Sequence, residues 1–410
     1  MRVLITLLSV FAGLSSALIA QPPQQALQTL YEQRRWFELR EAVSGRSVPA
    51  LYAGAVASAF NRPIDAVRHL TRAIREAATP EAANEARDIL ANLYMRLGKS
   101  ADMVRILDDG LAVAPSRADF RNVRQAFEPL RRLPNQSTRS GASRPFRCSV
   151  TASGVFLPAV VNGRSVEWLF DSAFSHTAMS ESEARMVGIA VQGGRVTGED
   201  FAGGTAQARM AIAERMSIGD AELRHVPVVV FPDSQPPFNE QSPGKRGAIG
   251  LPAIAGLQAI RWTNDGVCQL GPNAARTAVQ NRNLAFDGVT PITRVTALEQ
   301  QLEFVLDTGN QAGTQLWSRF ARDFPEIVKA GRKGTKQVHQ IGGSAEREII
   351  VLPELRLRVG GLDTRLEPAH VFSPPIGNDV HHGNLGVDLL SQSAEVVIDF
   401  ERMSLTLRAR

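Results

Sequence analysis

Along residues 24–133 apolar positions recur every three or four residues with few glycines between them. That is the period of helices that bury one face. Pro49, Pro63, Pro80 and Pro115 fall at the breaks in the pattern, where helices begin or end. Residues 134–145 are polar and aperiodic, which reads as a linker. From Phe146 onward the pattern changes to short runs rich in β-branched residues, separated by turn signals, which predicts strands. A second polar stretch, 273–285, divides this part into 146–272 and 286–410. The last apolar runs, 396–400 and 405–407, predict a terminal hairpin around Glu401-Arg402. The chain therefore reads as multidomain, an α-helical domain at 21–133 followed by an all-β region.

Two apolar runs in the β region stop in the same unusual way. Trp168-Leu169-Phe170 meets Asp171-Ser172-Ala173, and Phe304-Val305-Leu306 meets Asp307-Thr308-Gly309. An apolar run of this length reads as a buried strand end, which delivers each aspartate to a partly dry place. A carboxylate there is costly unless something uses or satisfies it. The surroundings are duplicated as well. Each run is preceded by a hairpin pattern, with Asn162-Gly163 as a strong turn in the first and a poorer turn within 293–302 in the second. Each aspartate is followed by a Gly-Gly pair between strand formers, Gly203-Gly204 and Gly342-Gly343. Then come Gly247-Ala248-Ile249-Gly250 and Gly383-Asn384-Leu385-Gly386. The spacing from aspartate to final glycine, 171 to 250 and 307 to 386, is the same in both copies. Four features in one order, twice, mark an internal duplication.

At these residues the chain resembles the aspartic peptidases over roughly 146–410. The short lobes resemble the retropepsin-like proteases, fused in tandem as in pepsin and in bacterial-type aspartyl proteases. The resemblance implies a two-lobed β-barrel fold with Asp171 and Asp307 as the catalytic pair. It implies that Ser172 and Thr308 lock the pair in register, with Ala173 and Gly309 beside them. It implies further that Gly203, Gly204, Gly342 and Gly343 let flap hairpins bend over a peptide. Ala173 departs from the usual glycine, and neither flap carries the tyrosine typical of pepsins, so no flap donor is assigned. Ser175 stands where a serine often bonds the aspartate, and Gln311 holds the same offset in the second copy.

Within the helical part, Gly54, Ala66 and Ala73 align with Tyr94, Gly98, Leu107, Leu111 and Pro115 as two degenerate segments that resemble tetratricopeptide repeats. That resemblance implies either a docking groove for a protein partner or a helical cap for the β region.

Composition narrows the setting. With 410 residues, 44% of them hydrophobic and 21% charged, this is an ordinary globular chain with room for two or three domains. The net charge of +5 comes from arginines interleaved with acids, with no run of five or six, so nucleic acid is not an expected partner. Met1-Arg2, an apolar run at 3–14 and small residues at Ser15, Ala17 and Ala20 read as a signal peptide over 1–20. The run is shorter than the roughly 18 residues a membrane span needs. The expected location is therefore outside the cytoplasm, periplasmic or secreted, with no stable membrane span. Cys148 and Cys268 are the only cysteines and flank the first β half, and in an exported protein an even count suggests a disulfide.

Other chemistries find little support. His176, His225, His339, His370 and His381-His382 fall on no zinc-protease spacing. No Gly-x-Ser-x-Gly elbow and no phosphate-binding Gly-x-x-x-x-Gly-Lys loop occurs, and Gly331-Arg332-Lys333-Gly334 reads as an exposed basic turn. No cofactor and no metal is expected. The favoured function is an exported aspartic endopeptidase acting on peptide or protein substrates. The alternatives are a catalytically silent peptide-binding module of the same fold, or a scaffold in which the helical repeats matter most.

Overall fold

The computed structural model describes residues 24–199, 205–276, 281–340, 343–372 and 380–409. The expected signal peptide, 1–20, lies outside the described residues. Residues 24–130 are helical: Gln24–Glu32, Trp36–Val43, Ala50–Ala59, Pro63–Glu76, Pro80–Arg96, Ser100–Val113 and Ala118–Phe127, then a short 3-10 turn, Glu128–Leu130. Pro63 and Pro80 each open a helix, where a missing N–H costs nothing. The helices pack in sequence, each against the next. Gly54 makes one of these crossings possible, because a Cβ there would lie 2.6 Å from Leu70 Cγ. None of these helices is long and apolar enough to cross a membrane.

The rest is β-rich, so the fold is mixed α + β. Among the described residues the strands form three sheets, of nine, five and ten strands. The nine-stranded and ten-stranded sheets repeat one plan. In the first, strands Gly154–Val161 and Arg164–Phe170 form a hairpin in which Val161 pairs with Arg164. In the second, Thr290–Ala297 and Gln300–Leu306 do the same, with Ala297 opposite Gln300. Both turns hold two residues at positive φ, the geometry that matches strand twist. Asn162 and Gly163 (47° and 84°) adopt it readily, whereas Leu298 and Glu299 (52° and 61°) adopt it against their preference. The turn type was thus duplicated without its favoured residues.

The inner strand of each hairpin is flanked by a short parallel strand. Gly247–Ile249 runs beside Arg164–Phe170 and pairs antiparallel with Thr177–Ser180. Gly383–Leu385 runs beside Gln300–Leu306 and pairs antiparallel with Gln315–Leu316. Each aspartate therefore leaves its strand at the same point of the same ladder: Asp171 N–H donates to Ile249 O (3.1 Å) and Asp307 N–H to Leu385 O (3.0 Å). The glycine that follows each short strand is needed for close approach. A Cβ on Gly250 would sit 2.0 Å from the His176 carbonyl, and one on Gly386 would sit 2.9 Å from that of Asn310.

Three expectations from the sequence change here. Residues 134–145 are not a free linker: Ser137–Arg139 form an edge strand on Ala221–Phe231. Gln136 also ties both ways, its N–H to Gly98 O (3.0 Å) and its amide to Pro252 O (2.5 Å). The added strand is held by main-chain bonds and is mostly exposed, so it leaves no apolar pattern to read. The terminal hairpin, Glu395–Asp399 with Ser404–Arg408, forms as expected but does not stay with the second half. Its first strand pairs with Ala259–Thr263 of the first half, making the five-stranded sheet that joins the two. Finally, the expected basic turn at 331–334 begins a strand, Arg332–Gln340, paired along its length with Gly343–Leu352.

The disulfide Cys148–Cys268 lies in this joining region, with Cα atoms 5.8 Å apart. One continuous apolar core runs through Phe37 and Phe60 of the helices, Phe170 of the first half and Phe304 of the second. The helical part is thus packed on the β region rather than tethered to it. Arg96, 1% exposed, stitches the joint by donating to Ser58 O (2.7 Å) and Gly288 O (2.6 Å) over the ring of Phe286. Burial lowers its pKa.

Candidate active site

The two aspartates, 136 positions apart in sequence at their following residues, are brought together by side chains that reach across the halves. Thr308 Oγ1 accepts the Ser172 N–H (2.9 Å) and donates to Phe170 O (2.8 Å). Ser172 Oγ accepts the Thr308 N–H (3.1 Å) and donates to Leu306 O (2.7 Å). Four reciprocal bonds, made by hydroxyls that are 0% and 1% exposed, leave neither loop free to shift alone. A buried N–H or C=O that lost its partner here would cost about 1–3 kcal/mol. This explains why each aspartate is followed by a hydroxyl residue.

The Asp171 carboxyl lies against the second half beside this grip. A Cβ on Gly309 would lie 2.2 Å from Asp171 Oδ2, so the second half presents bare backbone to the first half's carboxylate. Asp171 Oδ1 accepts the N–H groups of Ala173 (3.0 Å) and Phe174 (3.1 Å). Asp307 Oδ1 accepts the N–H of Gly309 (3.1 Å), and its Oδ2 accepts the amide of Asn384 (2.8 Å). Burial raises both carboxyls above the ordinary carboxylate range. The charge of Asp307 adds to the rise at Asp171, while the Asn384 amide and the Gly309 N–H pull Asp307 back down. Two coupled carboxyls of this kind release their protons in two steps, with a singly protonated state between them. One can then take a proton while the other gives one, the combination that activates a water without a covalent intermediate.

The structure joins Asp171, Ser172, Ala173, Thr308, Gly309 and Asp307 in one place. Ala173, where glycine was expected, packs its methyl against the main apolar core. Gly203, Gly204 and Gly342 lie outside the described residues. Gly343 opens the strand Gly343–Leu352, which pairs with Arg332–Gln340. The first hairpin consists of Val191–Glu199 and Thr205–Ile218. Ser175 does not bond the aspartate. Its hydroxyl meets His176 Nδ1 (3.2 Å), and the buried His176 ring lies against Phe127 of the helical part. Cys148 and Cys268 are remote from the aspartates in role, holding the joining sheet. Among the described residues no three His, Cys, Asp or Glu side chains gather as a metal-binding set.

Asn384 was missed by sequence reasoning, which took 383–386 only as a structural apolar-glycine feature. A signal was present: Asn384 occupies the place that Ala248 holds in the first copy, a polar residue in a strand otherwise built for burial.

Comparison with known proteins agrees with this geometry in part of the chain. Residues 157–253 match the aspartyl protease family. The match contains Asp171 and the strands Val191–Glu199 and Thr205–Ile218 but ends before Asp307. No curated protein matches the chain. Among solved structures, a retropepsin-like aspartic protease from Rickettsia conorii is 15% identical, with a TM-score of 0.25, over 34% of this chain and 97% of its own.

Proposed function

We propose that this chain is an exported aspartic endopeptidase that hydrolyses peptide bonds in peptide or protein substrates through a water held between Asp171 and Asp307. The observation that carries this reading is the reciprocal Ser172–Thr308 grip, which draws the two aspartate loops together from separate halves. One carboxylate takes a proton from the water, whose oxygen bonds to the scissile carbonyl carbon. The other carboxyl gives its proton to the carbonyl oxygen. The tetrahedral intermediate then collapses as the C–N bond breaks, the first carboxyl protonates the leaving nitrogen, and one hydroxyl of the gem-diol returns its proton to the second carboxyl. The hairpins 191–218 and 332–352 act as flaps to which an extended substrate adds as a strand. The helical domain, tetratricopeptide-like in its repeats, acts as a cap, supported by the core it shares with both halves. Export, to the periplasm or beyond the cell, is supported by the leader-like N-terminus and by the Cys148–Cys268 bond, since disulfides persist in oxidising compartments.

The test is cleavage of denatured casein and of a pool of fluorescence-quenched peptides across acidic to neutral pH. The expected activity is bell-shaped in pH, blocked by statine-type transition-state mimics, indifferent to chelators and serine-directed reagents, and absent from Asp171→Asn. An Asp171→Asn protein that cleaves as fast as the unaltered chain overturns the reading.

A further inference from the structure

The duplication is broken at one residue that touches a carboxyl. In the first half the strand beside Asp171 carries Ala248, paired with Leu169 and Ala178. In the second half the equivalent position carries Asn384, paired with Val305 and Gln315. Asn384 is 5% exposed, and its amide nitrogen lies 2.8 Å from Asp307 Oδ2. Its own Oδ1 is buried without a hydrogen-bond partner among the described residues. A buried amide oxygen left unpaired is a cost, so the position is held for what the nitrogen does.

We propose that Asn384 is a positioning residue that divides the labour of the two aspartates, holding Asp307 as the ionised base and leaving Asp171 to carry the proton as the acid. This rests on the dyad reading above and adds the direction of proton flow to it. The two carboxyls differ in where their donors fall. Asp307 accepts the Gly309 N–H on Oδ1 and the Asn384 side-chain N–H on Oδ2, with the Asn310 N–H as a further backbone donor, so both of its oxygens are satisfied as a carboxylate. Asp171 receives both of its N–H donors on Oδ1, which leaves Oδ2 without a donor among the described residues to stabilise negative charge. Oδ2 is also the oxygen that faces the backbone of Gly309. Hydrogen bonds to the charged form favour it, and a carboxyl with fewer of them keeps its proton longer. The amide can donate only while Asp307 accepts, so the same contact fixes the orientation of that carboxylate toward the water.

In the reaction, Asp307 removes a proton from water as the oxygen bonds to the carbonyl carbon, and the Asp171 proton moves to the carbonyl oxygen. On collapse the Asp307 proton passes to the departing nitrogen. Asp171 recovers a proton from one hydroxyl of the gem-diol, which restores both groups.

Two measurements test this. In the first, Asn384→Ala, which copies Ala248, is assayed on the quenched-peptide pool. The acidic limb of its kcat/KM profile is expected to move up by about one pH unit, with the alkaline limb in place and plateau activity within about threefold of the parent. Asn384→Ser, which keeps a short donor, is expected to fall between them. Equal loss at every pH, with both limbs unmoved, would mean that Asn384 only fills space and would overturn the proposal. The second needs no change at Asn384. In protein labelled with 13C at aspartate carboxyls, the lone Asp307 of Asp171→Asn is expected to titrate below the lone Asp171 of Asp307→Asn. The reverse order overturns the assignment even if the Asn384 variants fail to fold. If either aspartate variant keeps full activity, the dyad itself is wrong, a separate result from a dyad that holds while the limbs stay put.

Discussion

The two β halves share a ladder and a grip but differ in what surrounds each aspartate. Hairpin, short parallel strand, hydroxyl and close-packed glycine recur in both, and these are the parts that deliver a carboxyl to a fixed point. The differences lie just outside. Among the described residues Asp171 has Ala173 beside it and no side-chain donor, whereas Asp307 has Gly309 and Asn384. The hairpin Val191–Glu199 with Thr205–Ile218 has the helix Ala118–Phe127 and the turn Glu128–Leu130 packed on it, through a core that includes Phe127, Leu130, Ala208 and Met210. Both hairpins pair onward alike, with Ala221–Phe231 and with Ala369–Phe372, but in the second Lys336 reaches the Ala312 carbonyl (2.8 Å) in the loop after Asp307. Symmetry was retained where two carboxyls must meet. It was relaxed at the residues beside each carboxyl and where a helical domain leans on one side only.

That comparison breaks most severely at the grip, where the halves are equivalent. Thr308→Ala strands the Ser172 N–H and the Phe170 carbonyl, and Ser172→Ala does the mirror damage. Each is expected to lower kcat/KM by on the order of 100-fold or more and stability by about 2–4 kcal/mol, with Thr308→Ser restoring most of both. Steady-state kinetics and denaturant unfolding check this, and unequal losses at the two positions would show that the grip is not reciprocal.

A smaller effect separates the two small residues. Gly309→Ala drives a methyl into the Asp171 carboxyl and is expected to cost at least about tenfold in kcat/KM, since misplacement by a fraction of an ångström is enough. Ala173→Gly, with no such collision to relieve, is expected to stay within about threefold. Similar losses from both would mean that the site is more symmetric than its contacts.

The mildest prediction concerns stability and pH. Burial, helped by the Asp307 charge, raises the folded-state pKa of Asp171 above its unfolded value near 4. A carboxyl raised in this way binds its proton more tightly folded than unfolded. Folding stability is therefore full below about pH 4 and is lost as pH rises toward the folded pKa. Asp171→Asn removes that loss. It is expected to match the parent at pH 4 and to exceed it by on the order of 1–3 kcal/mol at pH 8, read by urea unfolding. A variant less stable than the parent at pH 8 would place Asp171 among structurally satisfied carboxylates.

Much of this was legible in the residues. The helical period before 133, the strand pattern after Phe146, the Asn162-Gly163 turn and the duplicated Asp-hydroxyl pairs all have local signatures, because helix period, turn chemistry and apolar runs are local physics. The joining of the halves was not legible. The pairing of Ala259–Thr263 with Glu395–Asp399 spans most of the β region, and nothing in either strand names its partner. The edge strand Ser137–Arg139 escaped notice because it bonds through its backbone and buries almost nothing. Asn384 escaped because a single polar residue in an apolar motif is ordinarily noise. Only the duplication, read as a difference rather than as a likeness, points to it.

Whether carboxyls from the two halves work as one unit is decided by a double-mutant cycle. Asp171→Asn, Asp307→Asn and the double variant should all remain folded by circular dichroism, since each change is nearly isosteric. Each single change is expected to lower kcat on the quenched-peptide pool by several orders of magnitude, with the double variant little worse than either single one. Losses that multiply, or a single variant that retains most of its activity, would mean that the aspartates act separately and that the shared water is wrong.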